Sequence, residues 1–162
     1  MIEVTVPRPT IKDSGSRSEF STGAVRDIQT GKGRPTLMPL RVVARLITNK
    51  LNGDHIMGYI ASFTEDTETH HLYEALVEFA LCVYDGSVET MILEASIHYE
   101  MGCAKYGEDN WKKGIPVNCY LDSAIRHYLK YHRGDTDEPH DRAFVWNIMC
   151  CIWEVDYHHD KD

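Results

Sequence analysis

Residues 118–157 read NCYLDSAIRHYLKYHRGDTDEPHDRAFVWNIMCCIWEVDY. Two helices separated by one break fit this stretch. The first covers about 118–132, and Gly134 ends it, because a glycine just past a helix accepts the left-handed conformation that other residues resist. The second is announced by Asp135-Thr136-Asp137-Glu138-Pro139. Proline is tolerated at a helix's first turn, and carboxylates there offset the positive end of the helix dipole. Trp146 and Trp153, seven residues apart, fall on one face of that helix and read as core.

Working backwards, helical signals continue. Ser87 is an N-cap candidate for a helix over 88–105, with Glu89 and Glu94 early in it. A helix over 71–84 stops at Asp85-Gly86. Pro39 opens PLRVVARLITNKL, whose apolar residues at 40, 43, 46, 47 and 51 mark one helical face. Residues 52–70 are polar and irregular, with a short segment around Met57–Phe63. Residues 106–117 form a loop punctuated by Gly and Pro. Residues 1–37 are rich in Gly, Ser, Thr, Pro and Arg and lack periodicity, so they read as an extended polar arm and not as a packed element. The expectation is an all-α fold, a small bundle of about five helices over 38–162 preceded by that arm.

The totals agree with one domain of ordinary globular composition: 162 residues, 43% hydrophobic and 26% charged. No apolar run approaches the ~20 residues of a membrane span, and the first twenty residues hold no apolar signal core. Cys82, Cys103, Cys119, Cys150 and Cys151 follow no metal-knuckle spacing. Reduced thiols and a cytoplasmic location are therefore expected. A formal net charge of −8 argues against direct nucleic-acid binding, which rests on positive charge. It leaves room for an anionic small ligand, because carboxylates that hold a cation count as negative in such a sum.

Chemistry-bearing residues concentrate after residue 94. Glu100 and Lys105 around one helix end could hold a metal and a phosphate oxygen; a surface pair is the alternative. Asp122, Arg126 and His127 follow, with Asp122 and Arg126 four apart on one face, either as an intrahelical ion pair or with Arg126 gripping a phosphate. Asp135, Asp137, Glu138, His140 and Asp141 crowd one helix start. Glu138 and Asp141, three apart, suit two oxygen ligands of Mg²⁺ or Mn²⁺, and the run exceeds what capping requires. In the arm, Gly31-Lys32-Gly33-Arg34-Pro35 is a basic loop that could reach a phosphate.

At these residues the sequence resembles the phage-type dATP/dGTP diphosphohydrolase-like domain, grouped near the MazG-like all-α NTP pyrophosphohydrolases. The likeness runs through Lys12-Asp13-Ser14-Gly15, Phe20 to Asp27, Gly31 to Arg34 and Pro39. It resumes at Glu100 to Gly107, Asn110 to Gly114, Tyr120 to His127 and Asp135 to Asn147. It implies hydrolysis of a purine (deoxy)nucleoside triphosphate to the monophosphate and pyrophosphate with Mg²⁺ or Mn²⁺, in a homo-oligomer, usually a dimer. Helix-borne carboxylates would hold metal in an E-x-x-E and an E-x-x-D pair. Glu138-Pro139-His140-Asp141 fits the second; the first is met only at Glu100, since position 97 is Ile and 103 is Cys. The resulting expectation assigns metal to Glu100, Asp122, Asp137, Glu138 and Asp141, and catalysis to Lys105, Arg126 and His127. Substrate contacts fall to Lys32, Arg34, Asn110, Trp111 and Asn147. Two rivals stand beside it: a non-catalytic nucleotide- or protein-binding module, and an HD-type metal phosphohydrolase suggested by His140-Asp141.

Overall fold

A computed structural model of the chain describes residues 10–158. The first nine residues of the expected arm lie outside the described residues. Six α-helices dominate: α1 (Leu40–Lys50), α2 (Ile56–Asp66), α3 (His70–Val83), α4 (Val88–Tyr106), α5 (Val117–Arg133) and α6 (His140–Asp156). The all-α expectation therefore holds, with one helix more than the five expected. The extra one is α2, where apolar residues at 56, 57, 60, 61 and 63 are buried. Their spacing is helical, but the polar residues on either side masked how far the helix extends.

The end signals act as read. The Ser87 hydroxyl accepts the Thr90 N–H at 3.0 Å and caps α4. Gly134 closes α5 with a left-handed φ of 91°. Helix α6 is buried on nearly every side and packs against α5, α4 and α3. Phe144, in its second turn, lies 4.6 Å from the Phe79 ring and 5.6 Å from that of Tyr128. A helix without a polar face is the one a bundle surrounds. Cys150 and Cys151 are buried on it as free thiols, and burial pushes the Cys150 thiol up to about 12. No helix among the described residues is long and apolar enough to cross a membrane.

The N-terminal segment departs from an unpacked arm. Strands β1 (Arg17–Glu19) and β2 (Val25–Asp27) form an antiparallel hairpin in which Ser18 faces Arg26. A 3₁₀ turn follows at Pro35–Leu37 and lies against α5. Ala24, Arg26 and Pro35 are buried. The Asn110 side-chain amide clasps β2, accepting the Val25 N–H at 2.9 Å and donating to the Val25 carbonyl at 2.8 Å. Strands of three residues carry too little alternation to be read from sequence, and their partners lie far along the chain.

Candidate active site

The hairpin roofs a cavity of about 430 Å³ whose other walls are α4, α5 and α6. Helix α4 contributes His98, Gly102, Lys105 and Tyr106, and α5 contributes Ser123, Arg126, His127 and Lys130. Both sets have the spacing of one helical face. Ala143, Trp146 and Asn147 come from α6, with Glu138 from the turn before it. Lys12, Asp13, Arg26, Asp27, Gln29 and Lys32 come from the arm. Six cationic side chains thus face three carboxylates, in a chain whose net charge is −8. Two of those carboxylates are already engaged, Asp13 with Arg17 at 2.6 Å and Asp27 with Lys32 at 2.7 Å.

Arg26 is 8% exposed and points from β2 into the cavity wall. Its guanidinium lies 5.2 Å from the Tyr120 ring centre and 5.5 Å from that of Trp146. One NH₂ group donates to Ser123 Oγ at 3.1 Å and Asn147 Oδ1 at 2.9 Å; the other is buried with no partner. Arg126 donates to the Gly33 carbonyl at 2.6 Å, Gln29 Oε1 at 2.7 Å and the same Ser123 Oγ at 3.0 Å. Burial, and then the charge on Arg26, press the Arg126 pKa down. Two guanidinium groups therefore meet over one hydroxyl, bonded to neutral oxygens. Withdrawing such charges from water costs several kcal/mol each unless an anion offsets it. Lys105, bonded to the Lys12 carbonyl at 2.6 Å, adds a third cation.

At the cavity's edge α5 meets the start of α6. Here His127 Nδ1 lies 2.8 Å from His140 Nδ1, and His140 Nε2 lies 2.8 Å from Asp137 Oδ1. Glu138 accepts the Lys12 N–H at 3.1 Å, while the Lys12 ammonium pairs with Asp137. Burial, followed by the neighbouring His140, holds His127 well below the ordinary imidazole value. The hydrogen bonds from Lys12 and His140 hold Asp137 well below the usual carboxylate range. Among the described residues three groups bring metal-type donors within 4.8 Å of one another: His127–Glu138–His140, Asp135–Asp137–His140 and an exposed trio at His70, His71 and Glu74.

Of the residues singled out from sequence, Lys32, Lys105, Arg126, His127, Glu138 and Asn147 line the one cavity. Asp137 stands behind His140. The others lie elsewhere. Glu100 is exposed, about 200° around α4 from His98 at the helical turn angle. Asp122 does not pair with Arg126; it accepts the Thr36 N–H at 2.8 Å and approaches Arg34 Nε at 3.5 Å, pinning the arm. Asp141 accepts the Tyr84 hydroxyl at 2.9 Å, so it and His140 engage different partners. The Asn110 amide is committed to Val25, and Trp111 packs edge-on against Trp153 at 4.9 Å. The sequence reading assigned no role to Arg26, His98 or Lys130, and weighed His140 only within the acidic run and the His140-Asp141 pair. For His98 the available signal was an imidazole among the apolar residues of α4.

The fold and the chamber together are a helical bundle around a cavity lined by six cationic side chains and three carboxylates. A family model described as dATP/dGTP diphosphohydrolase, N-terminal, matches residues 77–162, just over half of the chain. The chain belongs to that family. The match takes in α4, α5 and α6, the three helical walls of the cavity. No curated protein and no solved structure matches the chain.

Proposed function

We propose that this protein hydrolyses purine (deoxy)nucleoside triphosphates, dATP or dGTP, to the monophosphate and pyrophosphate with the help of a divalent cation, Mg²⁺ or Mn²⁺. The observation that carries this reading is the pair of guanidiniums, Arg26 and Arg126, converging on Ser123 with no carboxylate between them. A triphosphate supplies the missing charge. Arg126, Lys105 and Arg26 take phosphate oxygens, and Asn147 holds Arg26 in place from behind. Lys32 contributes from the arm.

In the reaction a water oxygen adds to the α-phosphorus and the bond to the bridging oxygen of the β-phosphate breaks. Pyrophosphate leaves, and the water's proton passes to solvent. Negative charge gathers on the leaving oxygens, and fixed cations in a partly dry chamber stabilise it more than water does. A divalent cation, when bound, would supply polarisation of the α-phosphate and a lowered pKa for the attacking water. His98, held near 4 by burial and by Arg142, Lys105 and Arg26, lines the cavity as a neutral group and adds no competing charge.

Incubation with each dNTP and NTP in Mg²⁺ or Mn²⁺, followed by product identification, tests the reading. Pyrophosphate with monophosphate is expected, fastest for a purine. Inorganic phosphate or intact triphosphate as products would point to another phosphohydrolase route. Nucleotide binding without turnover would leave a binding module.

A further inference from the structure

We propose that His127, His140 and Glu138 form a two-histidine, one-carboxylate centre for one divalent transition-metal ion, selective for Mn²⁺ or Zn²⁺ over Mg²⁺. The inference adds the make-up of a cation centre to the hydrolysis proposed above, and it is tested without nucleotide.

Four observations carry it. The three donors lie within 4.8 Å of one another, contributed by α5 and by the start of α6, two helices packed along their lengths. The two Nδ1 atoms are 2.8 Å apart. Two nitrogens each about 2.1 Å from one ion, at right angles, stand roughly 3 Å apart. The two nitrogens now share a proton, and an ion bound between them would take that proton's place.

Asp137 is placed as metal sites place the carboxylate behind a ligating histidine. It accepts the His140 Nε2–H at 2.8 Å, which fixes the tautomer and turns the Nδ1 lone pair toward the centre. His140 is 2% exposed, so that orientation is locked by packing as well. Lastly, His127 and Glu138 line the cationic cavity, so an ion there would face it and keep positions open for water or a phosphate oxygen.

The ligand set decides the metal. Imidazole nitrogens suit Zn²⁺ and its transition-metal neighbours, whereas Mg²⁺ demands oxygens and sheds its water reluctantly. The overlapping Asp135–Asp137–His140 trio is the weaker candidate. Asp135 is paired with Arg133 and Asp137 with Lys12, so its carboxylates are already neutralised.

The test titrates the whole chain with Mn²⁺, Zn²⁺ and Mg²⁺ by calorimetry, and reads nitrogen ligation from ¹⁴N couplings in the Mn²⁺ electron spin-echo spectrum. One ion per chain is expected, bound at least ten-fold more tightly as Mn²⁺ or Zn²⁺ than as Mg²⁺, with two imidazole couplings. Glu138→Gln should weaken Mn²⁺ binding ten-fold or more with circular dichroism unchanged. His127→Gln should remove one nitrogen coupling, and Asp135→Asn should bind as wild type. Absence of both Mn²⁺ and Zn²⁺ binding, bound Mn²⁺ without nitrogen coupling, or wild-type affinity in Glu138→Gln would each overturn the proposal. An Asp135→Asn loss equal to that of Glu138→Gln would move the ion to the other trio. Because no nucleotide is present, an inactive enzyme that still binds Mn²⁺ through two nitrogens would overturn the hydrolysis alone.

Discussion

A guanidinium buried beside two aromatic faces and two neutral oxygens recovers only part of the hydration it gives up, and at Arg26 one NH₂ group recovers none. The free protein therefore stores an electrostatic cost that an anionic ligand removes. Arg26→Met should leave the free protein at least as stable as wild type, since the substitution keeps length and deletes the buried charge. It should also abolish the rise in melting temperature that pyrophosphate or dGTP gives the wild type. That rise corresponds to about 2.7 kcal/mol at a ligand concentration of a hundred times Kd. Melts with and without ligand decide it; an undiminished rise in the variant would take Arg26 out of the site. Arg26 was illegible in the sequence for a physical reason. An arginine in a polar stretch rich in Gly, Ser and Thr reads as solvated, and what buries it are Ser123 and Asn147, 97 and 121 positions away. Arg126 and Glu138 were legible because each stands in a strong helical signal. Asp122 misled because four-residue spacing permits an ion pair without requiring one, and the backbone N–H of Thr36 took the carboxylate instead.

At the scale of elements, the helices could be read because burial repeats every three to four residues along them, and because Ser87, Gly134 and Pro139 mark their ends by local chemistry. The hairpin could not. Its three-residue strands gain their order from Asn110, whose amide fills both the donor and the acceptor of Val25. Asn110→Asp keeps an acceptor for the Val25 N–H but sets a carboxylate against the Val25 carbonyl. The loss should be about 1–3 kcal/mol, with weaker triphosphate binding as the roof loosens. Denaturant unfolding and ligand titration measure the two effects. Deleting residues 1–36 goes further, leaving Asn110, Asp122 and Asn147 without their arm partners. A fall in melting temperature on the order of 10 °C is expected. Melting unaltered by the deletion would mean that the hairpin rests on the bundle without stabilising it.

For the molecule as a whole, burial of titratable groups sets the response to acid. His98 is held near 4 in the folded state, chiefly by burial and then by Arg142. An unfolded imidazole titrates near 6.5, so between those values the unfolded chain takes up a proton that the folded chain refuses. This contribution is fully present above pH 6.5 and falls away as pH drops toward 4, by up to about 3 kcal/mol. His98→Gln should flatten the decline of the denaturation midpoint across that window; an unchanged slope would locate the acid sensitivity in other groups. The hairpin roof also bears on how the chain is made. Arg26 precedes its two hydrogen-bond partners by 97 and 121 positions along the chain. Contacts this distant in sequence close late in folding. Asn147 is the last of these partners to be made, so the full set of contacts around Arg26 closes only when α6 packs against α5.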